Sequence, residues 1–251
     1  MNSPMTGISY LLDGFSLITK SGIKRFVIIP LIVNIILFLG LFFFLRHYMH
    51  VFDAWFAGIL PSWLQWLGSL LWLLFFVAFV LVFIYTFVTF ANLISAPFNS
   101  LLAEKVEAHL TGQASVNQSM MATLKDVPRS LGRQIAVLGY YLPRALLLLL
   151  LFLLPFAQPF AALFWFLFNA WFMAMTFIDY PSDNHRISFQ TTRLFLNKQR
   201  FTTFGFGISV LIASMVPFLN FFVIPAAVAG ATKFWLKEAK LGNTFPPIKS
   251  N

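Results

Sequence analysis

From Val27 to Leu45 the chain runs for nineteen residues without one charged side chain. A helix rises 1.5 Å per residue, so a stretch of about 20 apolar residues crosses a hydrocarbon core of ~30 Å. Pro30 sits in the first turn of this segment, where its missing N–H costs little. Asn34 is its only strongly polar side chain and either bonds a neighbouring helix or lines a pathway. The rest of the chain points the same way. It is 59% hydrophobic and 10% charged, against about 25% charged in soluble domains. Its 33 phenylalanines exceed what one soluble core can bury, so much of that surface faces lipid. The expected class is an all-α integral membrane protein, built as a single membrane domain over 1–251.

The other apolar blocks refine this. Residues 69–98 form a second span, which must tilt or project. Residues 145–178 are broken by Pro155 and Pro159, and residues 201–232 by Pro217 and Pro225. Each later block is too long for one straight span and too short for two, which would need about 40 residues. A proline-broken re-entrant hairpin, hemi-penetrating and returning to its own side, fits better. Charge supports it. Net charge is +2 over 1–26, 0 over 46–68, +2 over 99–144, +2 over 179–200 and +3 over 233–251. Two spans followed by two hairpins put every positive segment in the cytoplasm with both termini, as the positive-inside rule prefers. The formal charge of +9 then belongs to cytoplasmic segments, and no nucleic-acid partner is expected. No cleavable signal pattern is evident, because the first apolar run starts late.

Between these blocks the chain is more ordinary. Ile8, Leu11, Leu12, Phe15 and Leu17 suit one side of an interfacial helix. Residues 46–68 carry Arg46, Asp53, His47, His50, Trp55, Trp63 and Trp66, an interface composition. His47 and His50 have helical spacing for a metal, but no further ligands cluster with them. Residues 99–110 continue the second span, bent, into the cytoplasm until Thr111-Gly112, with Leu102, Val106 and Leu110 as a stripe. Gln113–Met121 reads as a loop, and Asp126 as the cap of a helix starting near Pro128. There Leu131, Ile135, Leu138 and Leu142 make an apolar stripe, with Arg129 and Arg133 on a basic face for anionic headgroups or for an incoming anion. In the last block Gly205, Ser209 and Ala213, then Ala226 and Gly230, recur at four-residue spacing, which permits close helix packing.

The chemistry is sparse. No Walker A loop, HExxH or Ser-His-Asp set stands out. The absence of cysteine removes disulfides, Cys-ligated zinc and thiol catalysis. Neither an enzyme nor a cofactor is expected, and no resident metal. What remains is Ser21-Gly22-Ile23-Lys24-Arg25 at the head of the first span. A helix N-terminus offers unpaired N–H groups and partial positive charge. Glycine admits an anion to the backbone, and two cations add full charge. The same residues also serve as a plain cytoplasmic anchor.

Several stretches resemble one family: GIKRFVIIPLIVN (22–34), ANLISAPFNSLLAEKVEAHLTG (91–112), KDVPRS (125–130), YLPRA (141–145), DYPSDNH (179–185) and PFLNFFVIPAAVAGAT (217–232). They are similar, nearly end to end, to the CysZ family of bacterial inner-membrane sulfate permeases, a branch of the etoposide-induced-protein superfamily. The resemblance implies sulfate uptake for cysteine synthesis, two long spans with hemi-penetrating hairpins, and a homo-oligomer in the lipid bilayer. It places the sulfate-binding turn on Gly22, Ile23, Lys24 and Arg25. Many relatives have arginine where this chain has Lys24. Lysine keeps the charge but loses the bidentate fork, so Arg25 ranks first. Glu104, Glu107, His109, Arg129, Arg144, Asn184 and His185 follow as pathway candidates.

The leading reading is therefore a sulfate permease. Its rivals are a permease for sulfite, thiosulfate or phosphate, and a non-transporting structural or assembly protein of the membrane.

Overall fold

The computed structural model describes residues 2–59, 61, 65–113 and 127–241. Every described element is helical: α1 (Pro4–Ile18), α2 (Arg25–Ile59), α3 (Gln65–Thr111), α4 (Val127–Leu151), α5 (Gln158–Asn184), α6 (Phe189–Lys198), α7 (Arg200–Ser214) and α8 (Asn220–Leu241), with a 3-10 turn at Pro155–Ala157. The Gln113–Met121 loop, the Asp126 cap, and the side chains of Arg129, Leu131, His50, Asp53, Trp63 and Trp66 fall outside the described set. Two compact units divide the chain: Ile28–Ala96, and Met1–Val27 with Pro97–Asn251.

In the first unit, the described side chains of α2 and of α3 over 70–85 are mostly apolar and outward. Phe38, Phe43, Leu81 and Val82 are all exposed, which is the arrangement expected where lipid is the solvent. Phe44 and Phe83 stack with centroids 5.7 Å apart. The 35 residues of α2 measure about 52 Å, and α3, with 47, about 70 Å. Both exceed the ~30 Å hydrocarbon core. The helix α3 runs unbroken through Pro97 to Thr111, and Gly112 follows at φ +70°, a left-handed conformation that favours glycine after a helix. Asn34 Oδ1 is covered and lacks a hydrogen-bond partner among the described residues.

In the second unit, α1 buries a different face from the expected one. Its inner face is Gly7, Tyr10, Leu11, Gly14, Leu17 and Ile18, spaced three and four apart as one helical stripe demands, and it packs on α7 and α8. Leu12 points out instead. The reason is glycine. A Cβ on Gly7 would lie 2.1 Å from the Thr202 carbonyl oxygen, and one on Gly205 2.1 Å from that of Pro4. Gly14 meets the Ala226 carbonyl and Gly230 that of Tyr10 in the same way. Backbones meet where side chains are missing, and dispersion contacts rise accordingly. The start of α7 is closed from outside its own segment: Asn2 Oδ1 accepts from the N–H groups of Phe201 (3.0 Å) and Thr202 (3.1 Å). These are donors that a helix start otherwise leaves unmet.

The helix α4 has the expected apolar stripe, but Arg133 does not stand on an exposed basic face. Its apolar stripe, Ile135, Leu138 and Leu142, faces outward, while Arg133 faces the protein with 10% of its side chain exposed. A basic outer face suits water. An apolar outer face suits lipid, and the charge then needs internal partners.

Both later blocks are interrupted where proline predicts. Leu153, Leu154 and Phe156 make an exposed apolar tip between α4 and α5. Between α7 and α8 the break is shorter than the Pro217–Pro225 interval. It ends at Asn220, Pro225 lies inside α8, and Met215 and Phe218 are exposed, Phe218 at φ +64°. Two segments are long and apolar enough to cross a membrane among the described residues, Arg25–Tyr48 and Pro155–Asn184. In the 69–98 region the apolar helix is described over Leu70–Tyr85, because side chains 86–97 lie outside the described set.

Candidate anion site

The turn before α2 is held by one carbonyl. Lys20 O accepts from the N–H groups of both Ile23 and Lys24, each at 3.1 Å. Gly22 sits at φ +86°, a conformation in which a Cβ is strained. Ile23 is 2% exposed and pins the turn to the core. This geometry leaves the Gly22 and Arg25 N–H groups with no acceptor among the described residues. Lys24 and Arg25 are exposed, and neither has a carboxylate partner among the described residues. Arg25 only lies beside the Phe26 ring, 5.0 Å from its centroid. Unmet N–H donors, an open glycine and two uncompensated cations are what a tetrahedral oxyanion needs.

The pathway candidates fall into separate groups. Glu104, Glu107 and His109 lie in the last turns of α3. Asn184 ends α5, and His185 is its C-cap. Glu107 and His185 meet: Nε2 is 2.9 Å from both carboxylate oxygens, and the imidazole stacks on Trp235 at 4.4 Å. Asn184 is bound to Ser100 twice, accepting from Oγ at 2.6 Å and donating to its carbonyl at 3.0 Å. His109 is exposed at the end of α3. Arg144 stands elsewhere, on α4, donating to the Tyr140 carbonyl at 2.7 Å. None of these side chains forms a hydrogen bond or ion pair with Lys24 or Arg25 among the described residues.

The residues that sequence reasoning overlooked lie between these. Asp179 takes a two-pronged grip from Arg133, 2.8 Å from Nε and 2.7 Å from Nη2. Asp183, one helical turn on, is 3.2 Å from Nη1. Arg133 also donates to the Ile187 carbonyl, and Ser182 shares a hydrogen bond with Thr192. Tyr180 accepts from Asn99 at 3.3 Å. Every polar side chain of DYPSDNH is thus engaged, tying α3, α4 and α6 to the end of α5. The spacing of Asp179 and Asp183 was the available signal, since residues four apart share a helix face. Among the described residues, no group of three metal-ligating side chains occurs.

With this geometry described, comparison with known proteins is specific. The family model for sulfate transporter CysZ/etoposide-induced protein 2.4 matches residues 10–225. A sulfate transporter CysZ of Pectobacterium atrosepticum is 44% identical over 246 residues, 98% of this chain and 90% of the relative. One from Salmonella typhimurium is 44% identical over 237 residues, 93% of this chain and 92% of the relative.

Proposed function

The chain belongs to the sulfate transporter CysZ/etoposide-induced protein 2.4 family, and on that premise we propose that it is a sulfate permease of the bacterial inner membrane, supplying sulfate for cysteine synthesis. The observation that carries the binding site is the Gly22 turn. Among the described residues, N–H groups without an acceptor and the unpaired charges of Lys24 and Arg25 stand together at the head of the more hydrophobic of the two candidate spans. Sulfate gives up water there for backbone donors and the Arg25 guanidinium, whose fork matches two of its oxygens.

The hairpin reading is part of the proposal. Arg200–Ser214 has 15 residues, about 22 Å, short of the hydrocarbon core. Its exposed apolar tip suits lipid better than water. Two such hairpins keep both termini cytoplasmic in a multi-pass, homo-oligomeric protein. No nucleotide site is needed. Bringing a dianion in against an inside-negative 100 mV costs about 4.6 kcal/mol, so accumulation depends on metabolic withdrawal or on coupling.

Sulfate flux into proteoliposomes tests the site. Wild type should exceed empty vesicles several-fold, and Arg25→Ala should fall well below wild type. Equal flux for the two removes the site. Flux indistinguishable from empty vesicles removes the permease.

A further inference from the structure

We propose that Tyr140, Arg144 and Arg193 form a binding site for the phosphate of an anionic lipid headgroup, separate from the Gly22 turn. The Arg144 guanidinium lies 3.9 Å from the Tyr140 ring centroid, and that of Arg193 lies 5.4 Å from the same centroid. Both are within the ~6 Å range in which a cation is drawn to a ring. The ring itself is fixed by an edge contact to Phe189 at 6.0 Å. Two cations on one ring repel each other, and no carboxylate pairs with either among the described residues. Arg193 has no hydrogen-bond or ion-pair partner among the described residues, and Arg144 bonds only the Tyr140 carbonyl. Contrast Arg133 on the same helix, which is satisfied by two aspartates. No described residue supplies the counter-charge, and a bound anion would.

The surroundings indicate its source. Leu142, Leu146 and Leu147 flank Arg144 and are exposed, as is Leu194 beside Arg193. Outward leucines next to arginines and an interfacial tyrosine mark the boundary between acyl chains and headgroups. At that depth, guanidinium pairs favour phosphate, to which they bond bidentately. A free dianion in solution would have no use for the leucines. The inference rests on the membrane placement of α4, but not on the Gly22 turn or on transport itself.

The test is lipid retention by the purified full-length protein in a neutral detergent. Phosphatidylglycerol, phosphatidylcholine and sodium sulfate are titrated separately, with native mass spectrometry counting bound lipid. Wild type should retain phosphatidylglycerol at least tenfold more tightly than phosphatidylcholine. Arg144→Gln and Arg193→Gln should each weaken phosphatidylglycerol retention about tenfold. Millimolar sulfate should not displace the lipid. Arg144→Lys and Arg193→Lys, which keep charge and fold but lose the fork, should weaken it by a smaller factor and serve if the Gln variants do not fold. Equal retention of both lipids, or retention unchanged in every variant, overturns the site. Displacement by sulfate overturns the lipid assignment in favour of a free-oxyanion site.

Discussion

Arg133 sets one edge of its guanidinium on Asp179, donating from Nε to Oδ2 at 2.8 Å and from Nη2 to Oδ1 at 2.7 Å. The side chains are 10% and 12% exposed. A pair like this recovers its desolvation cost only while both partners are present. Arg133→Ala or Asp179→Ala should each cost about 3–5 kcal/mol, and the double variant should cost less than their sum. Arg133→Lys should rescue only partly, because the fork is lost. Unfolding midpoints in detergent decide this, and additive losses would mean the two residues act independently.

That ion pair also shows where sequence reading stops. Long apolar runs, the breaks at Pro155 and Pro217, and the helix stop at Thr111-Gly112 are local properties, so they were legible. The turn at Gly22 was legible too, because a glycine ahead of a long apolar run marks a helix start, and it sits at φ +86°. The inward direction of Arg133 was not. Periodicity separates its face from the leucine stripe, but only the surroundings say which face meets lipid. Reading Arg133 as part of an exposed basic face therefore put its charge on the wrong side of α4. The α1 stripe failed similarly: Gly7 and Gly14 are invisible to a hydrophobic pattern, yet they decide which face is buried.

The glycine notches make a second prediction. A Cβ at Gly14 would stand 2.0 Å from the Ala226 carbonyl oxygen and 2.9 Å from the Gly230 nitrogen. Both neighbours are backbone, so α1 must move off α8. Gly14→Ala should destabilise by about 1–3 kcal/mol, as overpacking does. Gly40→Ala is the control. Nothing lies within 4 Å of its Cβ, and alanine's better helix propensity should leave stability unchanged or raised. A thermal-melt comparison showing the reverse order would refute the notch.

Tyr10 and Glu238 give a pH dependence. The Tyr10 hydroxyl donates to Glu238 Oε1 at 2.9 Å. Burial, then the bond and charge of Glu238, push the phenol well above its usual range. The folded state therefore holds this proton more tightly than the unfolded state. Its contribution is full below about pH 10, the unfolded value, and declines as pH rises beyond it. Between pH 10 and 11.5 the wild-type melting temperature should fall more steeply than that of Tyr10→Phe, the difference approaching one proton in slope. Parallel profiles would exclude the coupling.

At the turn proposed to bind sulfate, charge and backbone separate by substitution. Arg25→Ala removes a charge-assisted bond worth about 1.5–3 kcal/mol, so the sulfate dissociation constant should rise about 10–100-fold. Lys24→Arg restores a fork and should lower it. Gly22→Val leaves the charges but strains a backbone at φ +86°, and should weaken binding as well. Calorimetry with sulfate, sulfite, thiosulfate and phosphate reads affinity and preference together. Unaltered affinity in Gly22→Val would show that the backbone donors take no part.

The hairpins are open to a direct test because the chain has no cysteine, so one introduced thiol reports alone. Gln190 is exposed and lies between the two broken blocks. Gln190→Cys should react with an impermeant maleimide only when the cytoplasmic face is opened. Phe156 is 95% exposed at the first tip. If that tip ends within lipid, Phe156→Cys should resist the reagent from both faces yet be quenched by a bromolipid once labelled with a fluorophore in detergent and reconstituted. Labelling at 190 from outside would turn the blocks into single spans. Rapid labelling at 156 from outside would turn the first hairpin into two full crossings, whereas rapid labelling from the cytoplasm would lift it out of the membrane.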